Sequence, residues 1–186
     1  MSNIDTPIRF SATIHRPGGP NQGAPWLFLR LPDDSSKQLP ARSMVSVEGT
    51  FDGNPFQATL EPDGEGGHWL RIQPELAHTV NATVGTVVEL EISPVTKEPE
   101  PEVPEDLQSA LDSAPPKALE TWLNTTALAR RDWIYWITTG KKAETRLKRI
   151  EVAISKMTAG SKRPCCFDRS GMYDKSLSCP IADTGE

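Results

Sequence analysis

The sequence predicts an α+β protein: an N-terminal small closed or pseudo β-barrel of about six strands, then a C-terminal all-α domain of about four short helices. Three observations lead there. Apolar residues alternate with polar ones through the first half of the chain, the period of half-buried strands. A run of prolines and glutamates then interrupts every pattern. Beyond it, apolar residues recur at three- and four-residue spacings, the period of helices packed on one face.

Taken in order, Ile8, Phe10, Ala12 and Ile14 form the first alternating strand. "PWLFLRLP" is the second, with Trp26, Phe28 and Arg30 on one face. "MVSVEGTFDGNPFQATLE" reads as a hairpin, because Asp52-Gly53 suits a tight turn with positive φ. "PDGEGG" makes the next turn, "HWLRI" a fifth strand, and Gly85 breaks the chain before "TVVELEIS". Closing six such strands into a barrel removes their exposed edges.

"SPVTKEPEPEVPED" follows. Proline fixes φ and like charges repel, so this segment is expected to be extended. It divides the chain into a barrel at 1–94, an acidic proline-rich linker at 95–103 and a helical domain at 104–186. Pro104 and Pro116 are each suited to open a helix, the second carrying Leu119, Trp122 and Leu123. Thr125 or Thr126 caps a third, with Trp133, Ile134, Trp136 and Ile137, and Gly140 ends it. The fourth spans about 142–157, and its expected buried stripe is Ala143, Leu147, Ile150, Ile154 and Met157. Lys142, Arg146, Arg149 and Lys156 then fall on another face, Gly160 stops the helix, and a cysteine-bearing tail follows.

The chain of 186 residues carries a net charge of −5 that hides an asymmetry. Residues 130–175 hold twelve Lys/Arg against five Asp/Glu, while the remainder holds eight against twenty. The two regions either attract each other or leave a basic face for an anionic partner. The amino-terminal residues lack the basic and apolar regions of a secretory signal, and no apolar run is long enough to span a bilayer. With three cysteines there is no disulfide framework to expect, so the expectation is a cytoplasmic protein.

The stretches "WLFLRLP", "VSVEGTFDGNPFQATLEPDGEGGHWLRI" and "VGTVVELEI" resemble the small β-barrel of the DUF1905 family. "VPEDLQSAL", "RRDWIYWITTGKKAETRLKRI" and "GSKRPCCFDRSGMY" are similar to the YdeI/OmpD-associated, or bacteriocin-protection, helical domain. Gly140 departs from that pattern, which tends to place a small helix former there. The resemblance implies a link to antimicrobial-peptide tolerance or envelope stress, and it implies no reaction, cofactor or catalytic set.

The candidate binding residues are Trp133, Trp136, Arg146, Arg149, Cys165 and Cys166. Trp133 and Trp136, with Tyr135, suit an aromatic platform, although a tryptophan pair three apart on an amphipathic helix is more often core. Arg146 and Arg149 suit an anionic surface or nucleic acid, but no nucleic-acid-binding signature accompanies them. Lys162, Arg163 and Arg169 near Cys165 and Cys166 favour a thiolate, against the commoner role of buried packing residues with Phe167 docked on the helices. Adjacent cysteines with no histidine nearby do not make a zinc site, and no metal or other cofactor is expected. In the barrel, Trp26, Arg30, Arg42, His68 and Arg71 are the groups suited to line a mouth, though small barrels are normally filled by their own side chains. There is no P-loop, dinucleotide fingerprint, GxSxG or HExxH.

The reading is therefore a non-enzymatic binding or stress-tolerance module with a small-molecule, peptide or protein partner. The alternatives are a nucleic-acid binder using the basic helix, and an enzyme with its site between the domains, using Cys165 or His68.

Overall fold

A computed structural model describes residues 6–164, 167–172 and 177–185. The chain divides into two compact units, Met1–Thr96 with Asp168–Glu186, and Lys97–Phe167.

The first unit is a nearly closed antiparallel barrel of six strands, as the alternation predicts. The strands are β1 (Ile8–Thr13), β2 (Leu27–Arg30), β3 (Val45–Phe51), β4 (Asn54–Pro62), β5 (His68–Ile72) and β6 (Val87–Pro94), ordered β1-β6-β3-β4-β5-β2. Edge strands β1 and β2 meet just past β1, where His15 and Phe28 exchange both backbone hydrogen bonds, at 2.8 and 3.0 Å. One face of each strand fills the interior: Ile8, Phe10 and Ala12 from β1, Leu29 from β2, Leu70 and Ile72 from β5, Val88, Leu90 and Ile92 from β6. The β3–β4 hairpin turns at Asp52 (φ 46°) and Gly53 (φ 78°), and the Asp52 carboxylate accepts from Glu89 N–H at 2.8 Å. That bond ties the turn to β6 and fixes the register.

Two short helices that strand periodicity does not reveal interrupt the barrel sequence, α1 (Asp33–Ser36) and α2 (Pro74–Thr79). Each begins at a proline, Pro32 as N-cap and Pro74 in the first turn. Helices this short are beneath what a 3.6-residue period can show.

The sequence division assigns 104–186 to the helical domain, whereas compactness places Asp168–Glu186 with the barrel. Backbone pairing shows why. Gly18 N–H donates to Ile181 C=O at 2.7 Å, Asp183 N–H donates to Arg16 C=O at 2.8 Å, and Leu177 is buried beside Gly64.

The second unit comprises α3 (Glu105–Asp112), α4 (Pro116–Leu123), α5 (Ala127–Thr138) and α6 (Ala143–Thr158). Thr126 caps α5 by accepting from Ala129 N–H. Leu107, Leu111, Ala118, Trp122, Trp133 and Ile137 meet Ile150, Ala153 and Met157 of α6 in one core. The expected stripe on α6 needs correction: Leu147 is 60% exposed and Ala143 is exposed, while Ala153 is fully buried. The buried row runs Ile150, Ala153, Met157, and one turn back it reaches Arg146. Arg146 therefore sits on the packed face and not on the opposite one.

Residues 95–104 form neither helix nor strand; Val95 still donates to Ser46 C=O of the barrel at 3.0 Å, and from Lys97 onward the stretch is tied within this unit. Glu98 pairs with Arg131 of α5, and Glu100 pairs with Arg130, whose Nη2 lies 2.8 Å from its carboxylate.

Candidate functional site

On α5 and α6, the aromatic and basic side chains singled out in the sequence are mostly committed to packing. Trp133 is fully buried, and its Nε1–H donates to Lys162 C=O at 3.0 Å. Trp136 is half-buried, edge-on to Trp133 with ring centres 5.9 Å apart, and the Arg149 guanidinium lies 5.4 Å from its ring centre. Arg149 also donates to Trp136 C=O and to Thr139 Oγ1, closing the α5–α6 connection. Arg146 grips Asp106 of α3 through Nε and Nη2, the latter at 2.9 Å. That hydrogen-bonded pair holds the Asp106 carboxyl below its ordinary value and raises the Arg146 guanidinium. Cys165 and Cys166 lie outside the described residues. Phe167 sits against Tyr135 with ring centres 6.0 Å apart, so the chain is still on α5 there.

The barrel places its candidates differently. Trp26 and Arg71 belong to an outer-face stack: the Arg71 guanidinium lies 4.5 Å from the Trp26 ring centre, and Trp26 stacks on Trp69 at 6.3 Å. Arg30 and Arg42 instead line a cleft of about 410 Å³ at one end of the barrel. Its walls are the end of β2, helix α1, the loop into β3 and the β4–β5 turn, and Asp33, Lys37, Glu65 and Gly66 also face it.

The floor of this cleft is built on Asp63, which is buried in the β4–β5 turn. One carboxylate oxygen accepts from the N–H groups of Glu65 and Gly67, both at 2.8 Å, and the other accepts from Arg30 Nη2 at 3.0 Å. The arrangement satisfies a buried charge and locks the turn in one conformation. Gly64 and Gly66 have φ values of 79° and 95°, which side chains rarely adopt.

Behind that wall His68 is fully buried. Its backbone N–H donates to Ser36 Oγ at 3.1 Å and its Nε2–H to Ser43 C=O at 3.0 Å, which leaves Nδ1 as the unprotonated nitrogen, buried without a hydrogen-bond partner among the described residues. Burial pulls His68 below its ordinary value of 6.5, outweighing the Ser43 carbonyl and the Asp63 charge. Ser36 is bonded to the main chain of His68 and not to its ring, so these two do not form a nucleophile–base pair.

The sequence reading selected Arg30, Arg42 and His68 but missed Asp63 and Lys37. In the sequence "PDGEGG" reads as a turn only, although the aspartate in its second place is the residue type that accepts from N–H groups further along the turn. Among the described residues, no group of three His, Cys, Asp or Glu side chains could hold a metal ion, and no helix is long and apolar enough to cross a membrane.

With the geometry in place, family comparisons fall on the same two units. Residues 10–92 match DUF1905, a domain of unknown function. Residues 100–160 match the family described as bacteriocin-protection, YdeI or OmpD-associated. The chain joins a DUF1905 domain to a YdeI/OmpD-associated domain. No curated protein matches it. The DUF1905 match contains Arg30, Arg42, Asp63 and His68, and hence most of the cleft chemistry. The YdeI/OmpD-associated match ends at residue 160, before the cysteine segment that the sequence reading had included in it.

Proposed function

We propose that this chain is a binding module that acts without covalent chemistry, with its ligand held in the cleft of the DUF1905 barrel. The observation that carries the reading is the preorganised polar cleft itself. Charged side chains from three separate segments converge on a turn whose own buried carboxylate is already hydrogen-bonded, so the floor of the cleft is fixed before a ligand arrives. The committed state of Arg146 and Arg149 supports this reading over a nucleic-acid surface on α6.

Amide chemical-shift mapping on the full chain tests the reading, with citrate, inorganic phosphate, glucose, spermidine and glycine as probes. At least one probe should move the amides of Lys37, Arg42 and Gly66 together. Shifts confined to other surfaces, or none with any probe, would count against it. The family description of the helical domain extends the proposal to cytoplasmic protection against antimicrobial peptides. Cells deprived of the chain should then be more sensitive to such peptides, and unchanged sensitivity would remove that part.

A further inference from the structure

We infer that the cleft takes an oxyanion, the carboxylate or phosphate group of a small ligand, on the guanidinium of Arg42. This rests on the binding reading above and names the chemistry of the ligand.

Among the described residues, the three cations that line the cleft are unequally engaged. Arg30 is held by the buried Asp63 carboxylate at 3.0 Å and reaches Glu65 at 3.5 Å. Lys37 pairs with Asp34 on the surface at 3.2 Å. Arg42 has a different neighbour: its Nη1 meets the Met172 sulfur at 3.9 Å. A thioether is a weak acceptor, whereas a guanidinium carries five donors in a planar fork that matches a carboxylate or phosphate. Of the two guanidinium groups in the cleft, one is held by a carboxylate and the other is turned toward a weak acceptor.

The turn beneath passes close to this guanidinium and to Asp63. A Cβ on Gly66 would come within 3.6 Å of Arg42 Nη1 and 4.0 Å of Met172 Cε, and one on Gly67 would lie 2.4 Å from an Asp63 oxygen. Asp63 in that turn is engaged by other donors, accepting from Glu65 N–H, Gly67 N–H and Arg30. Lys37 supplies a second positive charge at the same cleft, while Asp33 and Glu65 line it as well. Those two carboxylates repel an extended polyanion such as a nucleic-acid backbone. They tolerate a ligand with one anionic group and a polar or cationic remainder.

Calorimetric titration of the full chain with inorganic phosphate, acetate and glucose tests the assignment and separates the two oxyanion sources. Phosphate or acetate should bind. Arg42→Ala should weaken that binding about ten- to hundredfold, the range for losing a hydrogen bond to a charged group. Arg42→Lys should fall between, since an ammonium keeps the charge but not the fork. Arg42 is exposed, so both variants should keep the wild-type circular dichroism spectrum. Equal affinity in Arg42→Ala would overturn the assignment. Glucose binding in the absence of either anion would overturn it too, while leaving the binding reading intact. Failure of every probe to perturb the cleft in the mapping experiment would remove both.

Discussion

Trp133 and Trp136 are three residues apart on one helix, yet their surroundings differ enough to predict different roles. Trp133 is fully enclosed and spends its indole N–H on Lys162, so Trp133→Ala removes a large core volume and orphans a carbonyl. The expected cost is about 3–5 kcal/mol in urea unfolding. Trp136 is half-buried and should cost clearly less; equal losses would contradict the assignment of Trp133 to the core. At His68 the sign of the pH effect follows from burial. The folded pKa lies below the unfolded value of 6.5, so between the two the unfolded chain binds the extra proton. Stability contributed by neutral His68 is complete above 6.5 and drains away as pH falls toward the folded value. Urea midpoints should decline below pH 6.5 in the wild type and stay flatter in His68→Gln. Cys179 gives a third check. Burial pushes its thiol up to about 11, against the nearby Arg30, so alkylation should be slow in the native state and fast after unfolding.

Among the elements, the strands were legible in the sequence because each has one face inside the barrel, and period-two alternation records that directly. α6 was legible as a helix, but its buried face was not. Leu147, Ile150, Ile154 and Met157 fit a three-four spacing as well as Ile150, Ala153 and Met157 do, and only the neighbouring helices choose between them. Arg146 lies on the chosen face because a long side chain can place its stem over apolar neighbours and its charge on Asp106. The cleft was half legible for a similar reason. Arg30 and Arg42 stand out as arginines in a β region, whereas the role of Asp63 depends on a turn conformation and on an arginine far away in sequence. The Arg146–Asp106 clasp makes a prediction of its own kind. Arg146→Glu should destabilise the helical unit by about 1 kcal/mol, the upper range for a partly exposed pair. Adding Asp106→Arg should restore much of the loss by reversing the pair. A double variant no more stable than the single one would mean that Arg146 acts through its stem and not through its charge.

At the scale of the whole molecule, the charge asymmetry of the sequence has an internal outlet: Glu98, Glu100 and Asp106 take up Arg131, Arg130 and Arg146 within the helical unit. The C-terminal segment follows a different allegiance. It leaves α5 at Phe167 and joins the barrel, where it pairs its backbone with residues 16–18, buries Leu177 and half-buries Cys179. The Leu177 carbonyl approaches Gly64 so closely that a Cβ there would sit 2.3 Å from it, and Met172 reaches Arg42. A chain stopped after Phe167 keeps both matched families, residues 10–92 and 100–160, in full. It should nevertheless lose hydrogen-exchange protection in the barrel, first at Gly18, whose N–H loses the Ile181 carbonyl, and then along β2 and β5. Protection in α3–α6 should be unchanged, since no described part of that core comes from beyond Phe167. Gly64→Ala in the full chain should reproduce the effect more mildly, because the added methyl cannot coexist with the Leu177 carbonyl where it now lies. If the shortened chain exchanged its barrel amides at the wild-type rate, the tail would be an appendage. The pairing at Gly18 and Asp183 would then contribute nothing to the stability of the barrel.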